Sequence, residues 1–304
     1  MAQLRGQDTI VDSSLMETSS HGTETFPFAL YLDDFSCFKN EGICWHWHDQ
    51  AQITLITEGD FVCQLGSEKL LMHPGDLVFI NSRALHQIYP LQPRRGKLYA
   101  FLWRPELLGA PGSDLYENCI VPITASALRC AFYPTSHAMN RRLYSSLMMI
   151  VKAAQEKSPF HELHICAQLS RIWLHICEHC SDKALTPDSD SFIAQAREEE
   201  RVKQAMRYIQ ENFSQKLSLD SIAQAAMTNR SELCRCFRRV LDLTPGEFVL
   251  QYRLERALSM LEDPQLHIAE IAESCGFCSP SHFGSQFAKH LGCTPLQYRK
   301  NLLG

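Results

Sequence analysis

The last third of the chain carries the same pattern twice, and a duplicated pattern leaves few folds open. From Leu217 the sequence runs LSLDSIAQAAMTNRSELCRCFRRVLDLTPGEF, and from Leu266 it runs LHIAEIAESCGFCSPSHFGSQFAKHLGCTPLQYRK. Ile222-Ala223 aligns with Ile271-Ala272. After one extra residue in the second copy, Leu233 aligns with Phe283, Phe237 with Phe287, Thr244-Pro245 with Thr294-Pro295, and Phe248 with Tyr298. An apolar pair, a break, and then apolar residues four apart predict a short helix, a tight turn and a longer helix in each copy. The C-terminal domain is therefore expected to be all-α with two helix-turn-helix motifs. A chain of 304 residues exceeds one average domain, so a further domain is expected ahead of it.

The helix-end signals agree with this frame. Asn229 precedes an apolar-periodic run with Glu232 three residues on, which reads as a capping box. Ser279 followed by Pro280 gives an N-cap and a proline at the first helical position. The same frame places the two cysteines of CGFCSPSHF. Cys275 falls at the end of one helix and Cys278 just ahead of the next cap, with no second pair nearby to complete a tetrahedral zinc site. This CxxC is read as incidental.

On the longer helix of the first copy, Leu233, Cys236, Phe237, Val240 and Leu241 share the core face. Arg230, Ser231, Cys234, Arg235, Arg238 and Arg239 are left on the other. A solvated charged face would explain an isolated helix. Four arginines on the second helix of a duplicated corner instead favour the DNA major groove, because a guanidinium can grip a guanine edge bidentately and can also hold phosphate. The second copy offers Ser281, His282, Ser285 and Lys289, so the first is expected to dominate base specificity. Charge agrees in sign: residues 201–304 hold 13 Lys and Arg against 10 Asp and Glu, while the rest of the chain holds 16 against 24. Between the copies, PGEFVLQYRLERALSMLEDP reads as one helix of about seventeen residues, roughly 25 Å long. Such a strut suits two recognition helices set one DNA turn apart, about 34 Å.

At these residues the chain resembles the AraC/XylS family of bacterial transcription regulators. The resemblance covers about the last hundred residues and rests on Gly276-Phe277, a serine, Phe283, Phe287, Lys289, Gly292, Thr294-Pro295 and Tyr298-Arg299. It implies base-reading positions at Ser231, Cys234 and Arg235, and at Ser281, His282 and Ser285. Met227 departs from the pattern by standing where the family places a turn glycine, so the first turn is expected to be open to a different shape.

The segment HWHDQAQITLITEGDFVCQLGSEKLLMHPGDLVFINSRALHQIYP reads as short strands broken by EGD, LGSEK, HPGD and NSRA turns, the signature of a small β-barrel or sandwich. A single strand over 44–53 would point His46, His48 and Gln52 to one face, with Trp45 and Trp47 packing on the other. The segment resembles a cupin barrel: Gly42, His46, His48, Gln52 where the family carries Glu, and Gly59, followed by Pro74-Gly75-Asp76 and His86. The AraC/XylS resemblance implies that such a barrel senses an effector. Three readings of the cluster stand: hydrogen-bonded interior histidines, an effector pocket of His46, His48, Gln52 and His86, or a transition metal on the three histidines. The missing carboxylate places the effector pocket first and metal last, and no cofactor is assigned. As pocket groups the imidazoles are expected to charge near the reference value of about 6.5.

From His137 the pattern becomes helical. MNRRLYSSLMMIVKAAQE and ELHICAQLSRIWLHICEHC predict a helical hairpin, with Leu147, Ile150, Leu169, Trp173 and Ile176 placed to pack where the family dimerises. Histidines and cysteines crowd 161–180, but His175, His179 and Cys180 lack a second ligand pair at fixed spacing. The chain's thirteen cysteines are odd in number and irregularly spaced, as for free thiols in a reducing cytoplasm. The first two dozen residues are polar, expected as a loose tail rather than a signal peptide, and no apolar run is long enough to span a membrane.

The expected order is a disordered tail (1–25), a cupin-like effector-sensing barrel (26–135), a dimerising helical hairpin (136–182), a linker (183–197) and a DNA-binding domain (198–304). This describes an expected cytoplasmic, dimeric regulator without catalytic residues. Its partners would be a double-stranded DNA operator, a small-molecule effector and, for an activator, RNA polymerase. A regulator sensing metal or redox state, or a cupin metalloenzyme tethered to DNA, are the alternatives.

Overall fold

The run AQITLITE at 51–58 alternates polar and apolar residues, yet its first six residues are all buried. A strand buried on both sides must lie inside a covered sheet, and that organises the first of two units, Met1–Arg197. The computed structural model describes residues 3–5, 16–38, 42–66, 68–156, 158–184 and 189–303. Its strands are β1 (Gln3–Arg5), β2 (Phe28–Asp34), β3 (Ile43–His46), β4 (Ala51–Glu58), β5 (Phe61–Leu65), β6 (Glu68–Met72), β7 (Leu77–Ile80), β8 (His86–Pro90), β9 (Lys97–Trp103) and β10 (Cys130–Tyr133). They form a six-stranded sheet ordered β1-β2-β9-β4-β7-β10 and a four-stranded sheet ordered β3-β8-β5-β6.

Tyr31, Ile56, Val78, Ile80, Leu98 and Leu102 from the large sheet cluster with Ile43, Phe61, Cys63, Met72 and Ile88 from the small one. On its other face the large sheet turns Ala51, Ile53, Leu55, Phe79, Phe101 and Trp103 toward helices. A short helix, α1 (Val121–Thr124), precedes the hairpin of α2 (Asn140–Glu156) and α3 (His161–Ala184). Leu147, Ile150, Leu169, Trp173 and Ile176 are all buried in this same cluster. Trp173 also donates Nε1–H to the Cys119 carbonyl at 3.0 Å. The stripe expected to meet a second copy thus covers the chain's own sheet, because a sheet with one apolar face left bare would have nothing else to bury it.

Two further expectations change. Residues 16–25 are not a loose tail: Met16 bridges Trp47, and Glu17 and His21 are buried. The single strand over 44–53 is divided, because the chain leaves the small sheet after His46 and enters the large one at Ala51. His46 and Gln52 therefore belong to different sheets.

The second unit, Glu198–Gly304, is helical. It comprises the C-terminal part of α4 (Ser189–Asn212), then α5 (Leu219–Ala225), α6 (Arg230–Leu241), α7 (Pro245–Leu261), α8 (Ile268–Ser274), α9 (Pro280–Leu291) and α10 (Pro295–Leu303). Helix α4 begins inside the stretch expected as linker, of which 185–188 lie outside the described residues. Asn229 caps α6 by accepting the Glu232 amide at 2.9 Å, and Ser279 caps α9 ahead of Pro280. The Glu232 side chain does not close the box at the N-cap; it is drawn to Arg201 and Arg235. Leu233, Phe237, Phe283 and Phe287 are fully buried, as the repeat requires.

Candidate functional site

Helix α6 keeps its apolar stripe inward and so turns Arg230, Ser231, Arg235, Arg238 and Arg239 outward, all exposed. Cys234 is half-buried and lines a cleft of about 790 Å³ together with His282 of α9, Arg253 and Gly276. Each of the four arginines holds an acid. Arg230 grips Asp220 with two nitrogens, Arg235 pairs with Glu232, Arg238 lies 3.4 Å from Glu247, and Arg239 lies 2.7 Å from Glu198. The Arg230–Asp220 and Arg238–Glu247 pairs are exposed on both sides and so screened by solvent, whereas the carboxylates of Glu232 and Glu198 are largely covered. Of these acids only Glu232 was singled out in the sequence, as a capping-box partner, and it also stands three residues before Arg235 on the same helix.

On α9, Ser281, His282, Ser285 and Lys289 are exposed, and His282 lies edge-on to Phe277. Cys275 and Cys278 do not act as a pair. Cys275 is fully buried against Met260, with burial raising its thiol to about 11, whereas Cys278 is exposed. In the hairpin, burial likewise lifts the Cys177 thiol to about 11 and encloses Cys180, which makes these cysteines poor redox reporters. His175 is engaged by Glu178 at 3.3 Å.

The other cluster lies in the first unit. His46 and His86 face each other across β3 and β8, and His48 joins them from the turn before β4. All three are buried, and one ring nitrogen of each lies within 4.8 Å of the others'. Their Nδ1 atoms lie 2.9, 3.0 and 2.8 Å from the carbonyls of Cys44, Gln50 and Ala84 respectively. A carbonyl only accepts, so Nδ1 of His46 and of His86 carries a hydrogen, and the neutral His86 ring leaves a lone pair at Nε2. His48 faces an oxygen at each ring nitrogen, the Gln50 carbonyl at Nδ1 and Gln52 Oε1 2.9 Å from Nε2, so its neutral ring donates to only one of them, while Nε2 of His86 is buried with no hydrogen-bond partner.

Burial lowers the His48 pKa to about 4, with the adjacent His46 adding to the shift and Glu17 opposing it. Burial also holds His86 well below its ordinary value. Both are neutral at pH 7, and the expected charging near 6.5 gives way to desolvation. Beside this cluster stands a second group that sequence reasoning missed. His21 lies 3.1 Å from both the Glu17 carboxylate and the Tyr31 hydroxyl, with its ring centroid 6.0 Å from that of His48. Glu17 and His21 show a four-residue spacing, but nothing local marks that stretch as buried.

An open cleft of about 500 Å³ lies next to the turn that carries His48, lined by Asp49, Arg83, Arg104 and Tyr116 among others. Arg83 donates its backbone N–H to the His48 carbonyl at 2.8 Å and its side chain to Asp49.

A β-sheet domain enclosing a polar cluster, joined to a helical domain with an arginine-faced second helix, defines a ligand-responsive DNA-binding protein. The sequence matches the AraC-like ligand binding domain over residues 35–171 and the Helix-turn-helix domain over residues 222–301. It is 30% identical over 292 residues to the uncharacterized HTH-type transcriptional regulator YdeC of Bacillus subtilis, covering 96% of this chain and 98% of the relative. The Msm operon regulatory protein of Streptococcus mutans is 27% identical over 84% of this chain and 85% of its own length. A solved AraC-type transcriptional regulator from Chromobacterium violaceum shares 31% identity, covering 34% of this chain and 92% of that one, with a TM-score of 0.33. The chain belongs to the AraC family of transcription regulators: a DNA-binding regulator with an N-terminal ligand-binding domain. Among the described residues no helix is long and apolar enough to cross a membrane.

Proposed function

We propose that the chain is a cytoplasmic, homodimeric regulator that reads a double-stranded DNA operator with two helix-turn-helix units, α5–α6 and α8–α9. Its binding would respond to an effector sensed in a cupin-like N-terminal barrel. The observation that carries the DNA reading is the α6 surface, where the apolar stripe is buried and four arginines stand outward. Arg235, Ser231 and Cys234 read bases from α6, with Arg230, Arg238 and Arg239 on phosphates. Ser281, His282 and Ser285 read from α9, with Lys289 on phosphate. The sensing group is His46, His48, Gln52 and His86, supported by their burial together between the two sheets. An activator would also contact RNA polymerase, and the reading assigns no enzymatic activity.

Operator binding by the full chain should weaken steeply with salt, because neutralising phosphates releases counterions. Arg238→Ala should weaken all sequences alike and lower the slope of log affinity against log salt by about 1. An unchanged slope would remove Arg238 from the interface.

A further inference from the structure

The open cleft beside the His48 turn is separate from the buried histidines and carries charges that nothing else in the first unit uses. Its walls come from three stretches: the turn before β4 with Asp49, the loop after β7 with Ser82 and Arg83, and the segment between β9 and α1 with Arg104, Glu106 and Tyr116. Asp49 and Arg83 pair at 2.8 Å. Arg104 and Glu106, opposite in charge and two residues apart, do not pair. Among the described residues the Arg104 guanidinium has no hydrogen bond or ion pair. Glu106 has only the Tyr116 hydroxyl, at 3.5 Å, beyond the usual range for a hydroxyl donor. The backbone between the two charges is pinned, with Arg104 N–H on the Pro27 carbonyl, Pro105 buried and Leu107 N–H returned to Arg104.

Three further features of the walls point to a ligand. The Ser82 hydroxyl oxygen is buried without a hydrogen-bond partner, a cost that a polar ligand group removes. Arg83 is held at φ 64°, and strain of this kind gathers at ligand clamps. Tyr116 opens a π-helical turn, Tyr116–Ile120, a geometry found mostly at functional sites. We propose that this cleft binds a free zwitterionic α-amino acid, its carboxylate on Arg104 and its ammonium group on Glu106. A guanidinium offers a carboxylate two parallel N–H donors, and a carboxylate accepts from an ammonium group. The ionised lining residues, Asp49, Arg83, Arg104 and Glu106, sum to zero charge, which suits a ligand that is neutral overall but separated in charge. A simple anion would meet Glu106 unfavourably, and a simple cation would meet Arg104. Pro105, Val121 and the Tyr116 ring offer the ligand's side chain an apolar wall. The proposal concerns binding alone and rests on neither the operator nor the histidine assignments above.

The test screens the full chain against each of the common L-amino acids at about 10 mM by melting temperature, which a ligand of the native state raises. At least one with an apolar side chain is expected to raise it and to bind one per chain in a calorimetric titration. Its N-acetyl derivative lacks the ammonium charge and its amide lacks the carboxylate. Each should bind at least about 10-fold more weakly, the scale of one charge-assisted hydrogen bond. Arg104→Gln and Glu106→Gln, both at exposed positions, should each weaken the amino acid by about 10- to 100-fold while the free variants keep the melting temperature of the parent. Glu106→Gln should leave the affinity of the N-acetyl derivative unchanged.

No amino acid bound, a derivative that binds as well as its parent, or binding indifferent to both variants would overturn the proposal. Binding lost in His48→Ala but kept in Arg104→Gln would place the ligand among the histidines and overturn this site. Binding lost in Arg104→Gln and kept in His48→Ala would uphold it, whatever the histidine cluster does.

Discussion

The two corners of the second unit, α5–α6 and α8–α9, are built alike and finished differently. In each, the amide just past the turn returns to the first helix: Thr228 N–H to Ala223 and Phe277 N–H to Ala272, both at 2.9 Å. Ala226 and Cys275 occupy the same fully buried place. Both turns pass through the left-handed region, Met227 at φ 49° and Gly276 at φ 73°. The first turn, left open to a different shape by Met227, takes the same left-handed conformation, with the Met227 and Thr228 amides bonded back to Gln224 and Ala223. The corners differ in what surrounds them. Met227 is 78% exposed, whereas a Cβ on Gly276 would lie 2.4 Å from the Phe213 carbonyl oxygen and 2.9 Å from Arg253 Nη2. One turn needs only a backbone shape; the other also needs empty space.

The sharpest way to break this comparison is Gly276→Met. The left-handed backbone costs a side-chain-bearing residue about 1–2 kcal/mol. The added Cβ also displaces the Phe213 carbonyl, which accepts from Arg253 Nε at 2.9 Å. With a part-buried hydrogen bond costing about 1–2 kcal/mol when left unmade, the loss should reach roughly 3 kcal/mol. Hydrogen exchange across α8 and α9 in the full chain reads this as lost protection. A change within about 0.5 kcal/mol would mean that the two turns are equivalent after all.

The outward faces form the second contrast. Arg235→Ala on α6 should lower operator affinity roughly 10- to 100-fold and relax the base preference at one position. Ser285→Ala on α9 should cost less than about 3-fold, because a single hydroxyl contact is exchangeable with water. Fluorescence titration against one operator compares them directly. Equal losses would end the view that the first corner dominates specificity.

The sequence made these corners legible because a helix writes its own period. Leu233, Phe237, Phe283 and Phe287 are spaced by local geometry, and the caps at Asn229 and Ser279 are local as well. The buried histidine cluster was legible only in part. His46, His48, Gln52 and His86 do meet, but through the stacking of two sheets rather than along one strand. Nothing local tells which strands will face. Glu17 and His21 were missed for the same reason, since their segment is held by a long-range parallel bridge from Met16 to Trp47, just after β3. Likewise, the stripe on α2 and α3 was legible as apolar, while its partner was a long-range fact: the outer face of the large sheet.

The mildest change is the most direct reading of the turn. Met227→Gly removes a left-handed penalty of about 1–2 kcal/mol and adds up to about 1 kcal/mol of chain entropy to the unfolded state. The side chain is exposed, so little packing is lost with it. A net gain of about 0.5–1 kcal/mol is expected, seen as increased exchange protection in α5 and α6, with operator affinity unchanged. The signs at the two corners are then opposite: glycine helps where methionine stands, and methionine harms where glycine stands. A loss of stability in Met227→Gly would show that the exposed methionine is held by contacts of its own, and the first turn would need more than the shape of its backbone.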